Sequence, residues 1–331
     1  MKAIKFFAIT AMAAAMFTSC SNEDELSQSN YPSDNIIRIT AGVNNAKTRA
    51  EGAGTPLEKP LSLTVVNNNT ENTELAKKYT YVNKVFKKND NVWTCSEDQP
   101  LLWQNSTQAV DIVAFAPAPN DKFNGVCDND RSIQSITYSV ADDQSKSSDN
   151  NDLLYYYAPG FVPKEKLEDK KLNIKMNHAF CMIDIVVTLG TEFNKPKVLD
   201  DSPIIKVTLG GTKIAANVNV KNAPSVVTAS GEATDITTTK GTFDQAANAE
   251  AKGVSHFSCI AIPQTVAANT FKVSLMTADK LYEWTSKDAV TLESGYRYTL
   301  KLTMGNDVVL LKDAISASPW GNGEGGSLET D

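Results

Sequence analysis

At 331 residues with 41% hydrophobic side chains, the chain is long enough for two domains and apolar enough to bury a core, which excludes wholesale disorder. The formal net charge is -7 and no Lys/Arg cluster is dense enough to follow a phosphate backbone, so nucleic acid is excluded as a partner. Two histidines in the whole chain and no C-x-x-C pair leave a structural zinc site almost without ligands, and no metal or other cofactor is expected.

The first segment, 1–19, carries Lys2 and Lys5, then an apolar run from Phe6 to Phe17 too short to span a bilayer as a stable helix, then Thr18-Ser19. Small residues followed at once by Cys20 fit a lipoprotein leader, in which the Cys20 thiol is acylated and becomes the new N-terminus. Residues 20–35 read as a polar tether, in which Glu23-Asp24-Glu25 resembles a lipoprotein surface-export signal and reads equally as a solvated linker. Ile36 to Val43 then alternates, with Ile37, Ile39, Ala41 and Val43 on one face and Arg38 and Thr40 on the other, which predicts a half-buried strand. The polar, Gly-containing interval from Asn44 to Pro60 isolates that strand from the next one.

Further short runs rich in β-branched and aromatic residues predict strands at Leu61–Val66, Tyr79–Phe86, Val110–Ala116, Ile133–Val140 and Leu153–Ala158. Leu172–Leu189 predicts two strands broken near Asn177-His178. The density of Pro, Asp and Lys from Pro196 to Pro203 places a domain boundary between 198 and 199. Beyond it, Gly210-Gly211 predicts a hairpin joining Ile204–Leu209 to Thr212–Val220, and Gly305-Asn306 predicts another joining Tyr298–Met304 to Val308–Leu311. Phe257–Ile262 and Phe271–Met276 add strands, and 321–331 is a Gly-rich flexible tail. Many short strands with frequent turns predict an all-β chain, a domain at 36–198 followed by one at 199–331.

No G-x-S-x-G, H-E-x-x-H or G-x-x-x-x-G-K-[ST] pattern occurs, and no catalytic residue is assigned. His178 and His256 read as hydrogen-bonded structural histidines, and Cys181 and Cys259 as small buried hydrophobes. The acidic runs Asp128-Asn129-Asp130 and Asp149-Asn150-Asn151-Asp152 lack EF-hand spacing and read as solvated turns. Trp93, Trp103, Trp284 and Trp320, if surface-exposed, would suit a second class of function, glycan binding in a nutrient-uptake system.

Several segments in order resemble the fimbrillin family of Bacteroides-type pilus subunits. After Ile36–Val43 comes Lys47-Thr48-Arg49-Ala50, similar to the family's Thr-Arg-Ala processing site. Leu101-Leu102-Trp103 leading to Asp111-Ile112-Val113-Ala114-Phe115-Ala116-Pro117 resembles its tryptophan and proline-ended strand. Asp152-Leu153-Leu154-Tyr155-Tyr156 and Asn177-His178-Ala179-Phe180 match its Asp-Leu-Leu strand and the histidine before a long apolar strand. Ser294-Gly295-Tyr296-Arg297-Tyr298 and Trp320 resemble its closing strands. The resemblance implies two transthyretin-like β-sandwich domains in tandem, no enzymatic activity, and an outer-membrane, surface-exposed lipoprotein destined for a fimbrium. It also implies trimming between Arg49 and Ala50 by an arginine-specific protease. In the precursor, Ile37, Ile39, Ala41 and Val43 would fill a groove. After trimming, a C-terminal segment containing Val308, Val309, Leu310, Leu311, Ile315 and Trp320 would be donated to a neighbouring pilus subunit, giving a head-to-tail polymer.

Overall fold

The computed structural model describes residues 30–44, 55–118, 132–147, 151–195, 197–221, 226–305, 309–311 and 315–320. They form the expected all-β chain, with two short α-helices and one 3-10 turn between strands. In chain order, the first half contains β1 (Ile39–Val43), β2 (Thr55–Pro56), β3 (Leu61–Asn67), α1 (Thr73–Lys78), β4 (Tyr81–Asn89) and β5 (Val92–Cys95). It continues with β6 (Val110–Ala116), β7 (Ile136–Ser139), β8 (Leu154–Phe161), α2 (Pro163–Lys166) and β9 (Leu172–His178). Eight of these strands form one sheet in the order β2-β1-β9-β8-β6-β3-β4-β5. Although β1 and β5 lie far apart in that order, they approach one another, and Ile36 bridges to Leu102, so the sheet curls around a core.

That core is built by strict alternation. Leu61, Leu63 and Val65 of β3, Ile112 and Ala114 of β6, and Leu172, Ile174 and Met176 of β9 all face into it. The intervening residues Val113 and Phe115 of β6 are just as buried, but they pack into a second core with Ile136 and Tyr138. A strand covered on both faces reads as a nearly continuous apolar run, which is how Val110–Ala116 reads.

The second half contains β10 (Cys181–Leu189), β11 (Lys206–Gly210), β12 (Lys213–Asn219), β13 (Val226–Ala233), β14 (Ile236–Thr237), β15 (Thr239–Asp244) and β16 (Val254–Ala261). After them come β17 (Gln264–Val266), β18 (Lys272–Met276), β19 (Leu281–Thr285), β20 (Val290–Leu292), β21 (Tyr296–Met304), β22 (Val309–Leu311) and β23 (Ser316–Pro319). β10 lies between antiparallel β16 and parallel β21, with β22 and β23 both on the outer edge of β21. Its side chains alternate without a lapse: Cys181, Ile183, Ile185, Val187 and Leu189 are buried.

Two expectations are corrected by these pairings. The first is the boundary at 198/199. The last residue of the first core is Met176, β10 already belongs to the second sheet, and residues between Val66 and Leu153 also enter the second core, with β7 crossing to pair with β12. The Asp200–Pro203 stretch is no linker, because Ser202 is buried and its hydroxyl meets that of Ser255 at 2.7 Å on β16. The second is the hairpin at Gly210-Gly211. β11 pairs with β14 and β18, whereas β12 pairs with β13 and β7, so the two glycines carry the chain from one sheet to another. Gly211 has φ +87, and a Cβ there would lie 2.1 Å from the Thr270 carbonyl oxygen. Its freedom serves a close backbone crossing.

Candidate functional site

The first strand is isolated in sequence by the interval from Asn44 to Pro60. β1 runs parallel to β9, with Ile39 opposite Leu172 and Val43 opposite Met176, and its other edge meets β2 through Gly42–Pro56 and Val43–Thr55. Ile37 and Ile39 are each 4% exposed, while Ala41 and Val43 are half-buried against the same core. Arg38 and Thr40 point outward, and Arg38 grips Asp34 through Nη1 at 2.9 Å and Nη2 at 2.6 Å. The Arg38 guanidinium, helped by the Ile36 N–H that donates to Asp34 Oδ1, holds the Asp34 carboxyl well below the usual carboxylate range. Because both side chains are largely in water, that pair adds little stability and serves mainly to shape the entry into β1. Cys20, Arg49 and Ala50 lie outside the described residues, and Arg49 falls in the segment linking β1 to β2.

The C-terminal segment is folded back on its own sheet. Val309, Leu310 and Leu311 pair with Met304, Thr303 and Leu302 of β21, and Ser316–Pro319 pairs with Thr299–Tyr296 further along the same edge. Val309 is buried, and Ile315 and Trp320 pack half-buried against the second core. Val308 lies outside the described residues.

Sequence reading did not anticipate that the two ends meet at one place. The Asn44 N–H at the end of β1 donates to the Met176 carbonyl at 2.6 Å, and Asn44 Nδ2 donates to Asn177 Oδ1 at 3.1 Å. One residue on, the His178 ring is stacked on Trp320, with centroids 3.8 Å apart and planes at 6°. His178 Nδ1 lies 2.9 Å from Asp152 Oδ2, and both side chains are largely buried. The pairing of Leu154 with His178 across β8 and β9 brings Asp152 to the histidine. The signals were present in sequence, an Asp before one strand and a His ending another, but alternation alone does not say which strands are neighbours.

His256 Nε2 lies 2.9 Å from Asp244 Oδ2 across β15 and β16. Cys181 and Cys259 are free and fully buried, and burial pushes both thiols upward in pKa. Among the described residues no group of three His, Cys, Asp or Glu is placed to hold a metal ion. Asn151 is turned inward, its Oδ1 accepting from the Ala141 N–H, while 128–130, 149 and 150 lie outside the described residues. Of the four tryptophans one is buried and three are partly buried. Trp103 is buried and stacked with Phe161, Trp93 and Trp284 pack against the two cores, and Trp320 is covered by His178.

A fimbrillin-like family model matches residues 48–320 of the chain. No curated protein matches it. Among solved structures, a cell-adhesion candidate from Bacteroides ovatus superposes with TM-score 0.62 at 17% identity, over 86% of this chain and 97% of that one. A second, from Bacteroides uniformis, gives TM-score 0.57 at 15% identity, over 87% of this chain and 99% of that one. A fimbrial protein from Bacteroides vulgatus gives 0.51 at 14%, over 86% and 99%. At these identities the likeness is one of fold.

Proposed function

This chain belongs to the fimbrillin-like family, and on that premise we propose that it is a cell-surface fimbrial subunit precursor that assembles by exchange of a β-strand. In this reading the leader directs acylation at Cys20, the lipid holds the precursor on the outer membrane, and an arginine-specific protease cuts after Arg49. More than one acyl chain is needed for stable anchoring, which a lipoprotein cysteine provides.

The observation that carries the reading is the placement of β1. Its side chains belong to the first core, yet Arg49 lies on the chain between it and β2. A cut there leaves β1 held by its non-covalent pairing with β9 and β2. Burial of Ile37 and Ile39 supplies roughly 3–6 kcal/mol, enough to keep an uncut precursor closed. Once β1 departs, the edge of β9 is open above an apolar core, a surface that recruits another strand. The C-terminal segment of a neighbouring subunit fills it after leaving its own β21. Such a contact is heterologous, and it propagates as an open filament when it does not close into a ring.

The test uses the chain from Ser21 onward, treated with trace trypsin and followed by size-exclusion chromatography and unboiled gels. Trimmed protein should form ladders, and the Lys47→Ala/Arg49→Ala double variant, which removes both trypsin sites from the segment between β1 and β2, should stay monomeric. Equal polymer from both, or none from trimmed parent, overturns the proposal.

A further inference from the structure

Both strands that such an exchange must move rest on one short stretch of backbone, Met176–Asn177–His178. From one side, Asn44 fastens the end of β1 to Met176 and Asn177. From the other, Trp320 lies flat on the His178 ring, just after β23 ends. The Trp320 N–H also donates to the Gly295 carbonyl at 2.6 Å, and the Gly295 N–H donates to the Phe180 carbonyl at 2.9 Å. The C-terminal strand is thus pinned at the break between β9 and β10.

We infer that the Trp320–His178 stack, aligned by Asp152, is an autoinhibitory latch: it retains the C-terminal strand on its own subunit while β1 is in place and loosens when β1 leaves. This rests on the fimbrial reading above. With β1 gone, the Met176 carbonyl loses the Asn44 donor and the Asn177 side chain loses its partner. The end of β9 is then held through its register pairs with β8, Leu154–His178 and Tyr155–Asn177. The Ala179 N–H still donates to the Leu153 carbonyl at 2.8 Å, but with fewer bonds at the end of β9 the His178 ring is held less firmly, and the stack loosens when its platform moves. Asp152 acts as a positioning residue, because its bond to Nδ1 fixes which way the imidazole faces. Coupling between two sites is reciprocal, so if β1 stabilises the latch, the latch stabilises β1 by the same factor.

Reciprocity makes the latch testable without polymerisation. Hydrogen exchange is measured on monomeric Ser21-onward chain carrying Arg49→Ala, alone and with Trp320→Ala, His178→Ala or Trp320→Phe. Trp320→Ala and His178→Ala break the stack from opposite sides, and each should speed exchange in 316–320 by about 2- to 10-fold. Each should also speed exchange in 39–44, with 183–187 of β10 unchanged as a control for global folding. Trp320→Phe, which keeps a stacking ring, should stay near the parent. If the acceleration is confined to 316–320, or if 183–187 accelerates equally, the latch is overturned. Failure of trypsin-trimmed parent to polymerise would overturn the fimbrial reading instead, and the two results are read from different samples.

Discussion

Ile39 stands opposite Leu172 in the parallel register between β1 and β9, and both side chains are buried in the same core. Thr40, one residue on, faces solvent. Ile39→Ala should therefore destabilise the uncut precursor by roughly 2–4 kcal/mol, whereas Thr40→Ala should stay within about 0.5 kcal/mol. Urea unfolding monitored by circular dichroism measures both. Equal, small effects would mean that β1 contributes nothing to the precursor's core.

The sheet-crossing glycine gives a second contrast. Gly211 and Gly160 both have positive φ, at +87 and +57, but only a Cβ at Gly211 would strike backbone, the Thr270 carbonyl. Gly160→Ala should cost about 1–2 kcal/mol for the left-handed conformation alone. Gly211→Ala should cost roughly 3 kcal/mol or more, because neither backbone strand can give way cheaply. A thermal melt of each variant decides it, and a smaller loss at Gly211 than at Gly160 would contradict the crossing.

That glycine also marks where sequence reading stops. Strands with a clean alternation are legible, because alternation is local: Ile37 and Ile39 against Arg38 and Thr40, or Cys181 through Leu189, show one apolar face each, whereas Val92–Cys95, Val226–Ala233, Thr239–Asp244 and Leu281–Thr285 are strands that the sequence does not announce. Partner choice is not legible, because it depends on what the other face meets. Gly210-Gly211 has the same local chemistry whether the chain returns beside itself or crosses to another sheet, and the contact that decides is with Thr270, far along the chain. Likewise Ile136–Ser139 reads as a strand of the first domain, yet its backbone bonds go to β12. His178 and Trp320 each stand out locally, but nothing local indicates that one covers the other.

Burial of ionisable groups predicts the alkaline limb of stability. Cys181 and Cys259 have thiols raised by burial above the ordinary 9.0, and the Tyr138 phenol is pushed from 10.0 up to about 12, again chiefly by burial. The folded state keeps protons that the unfolded chain releases, so it binds more protons above pH 9, and stability falls as pH rises. Stability from these groups should be fully present below about pH 9 and decline beyond it, by up to about 1.4 kcal/mol per pH unit for each group in play. Below pH 9, iodoacetamide should label the half-exposed Cys95 in native protein while leaving Cys181 and Cys259 untouched until unfolding. Stability that is flat to pH 11, or equal labelling of all three, would refute this.

Lipidation is tested at its one residue. Cys20 directly follows Thr18-Ser19, and its thiol is the group at the leader boundary able to carry acyl chains. Cys20→Ala, expressed in a bacterium that processes lipoproteins, should lose labelled palmitate, and the protein should leave the membrane fraction. Undiminished label would rule out Cys20 as the anchor.

The last prediction concerns the strand to be donated. A chain ending before Val308 is a poor test, because it strips the outer edge of β21 and exposes that edge to chance pairing. A reversible lock is better. Thr299 and Ser316 are register partners between β21 and β23, and both are partly exposed. Antiparallel partners sit about 4.5–5.5 Å apart at Cα, inside the range a disulfide spans. Thr299→Cys with Ser316→Cys should therefore form a cross-link that holds the C-terminal segment on its own subunit. Under oxidising conditions, trypsin should still trim the double variant after Arg49, but ladders should be absent. Adding reductant should restore them, because the strand can then leave β21. Ladders that form equally well with the disulfide intact, verified by mass spectrometry, would show that this strand need not leave its own subunit for assembly.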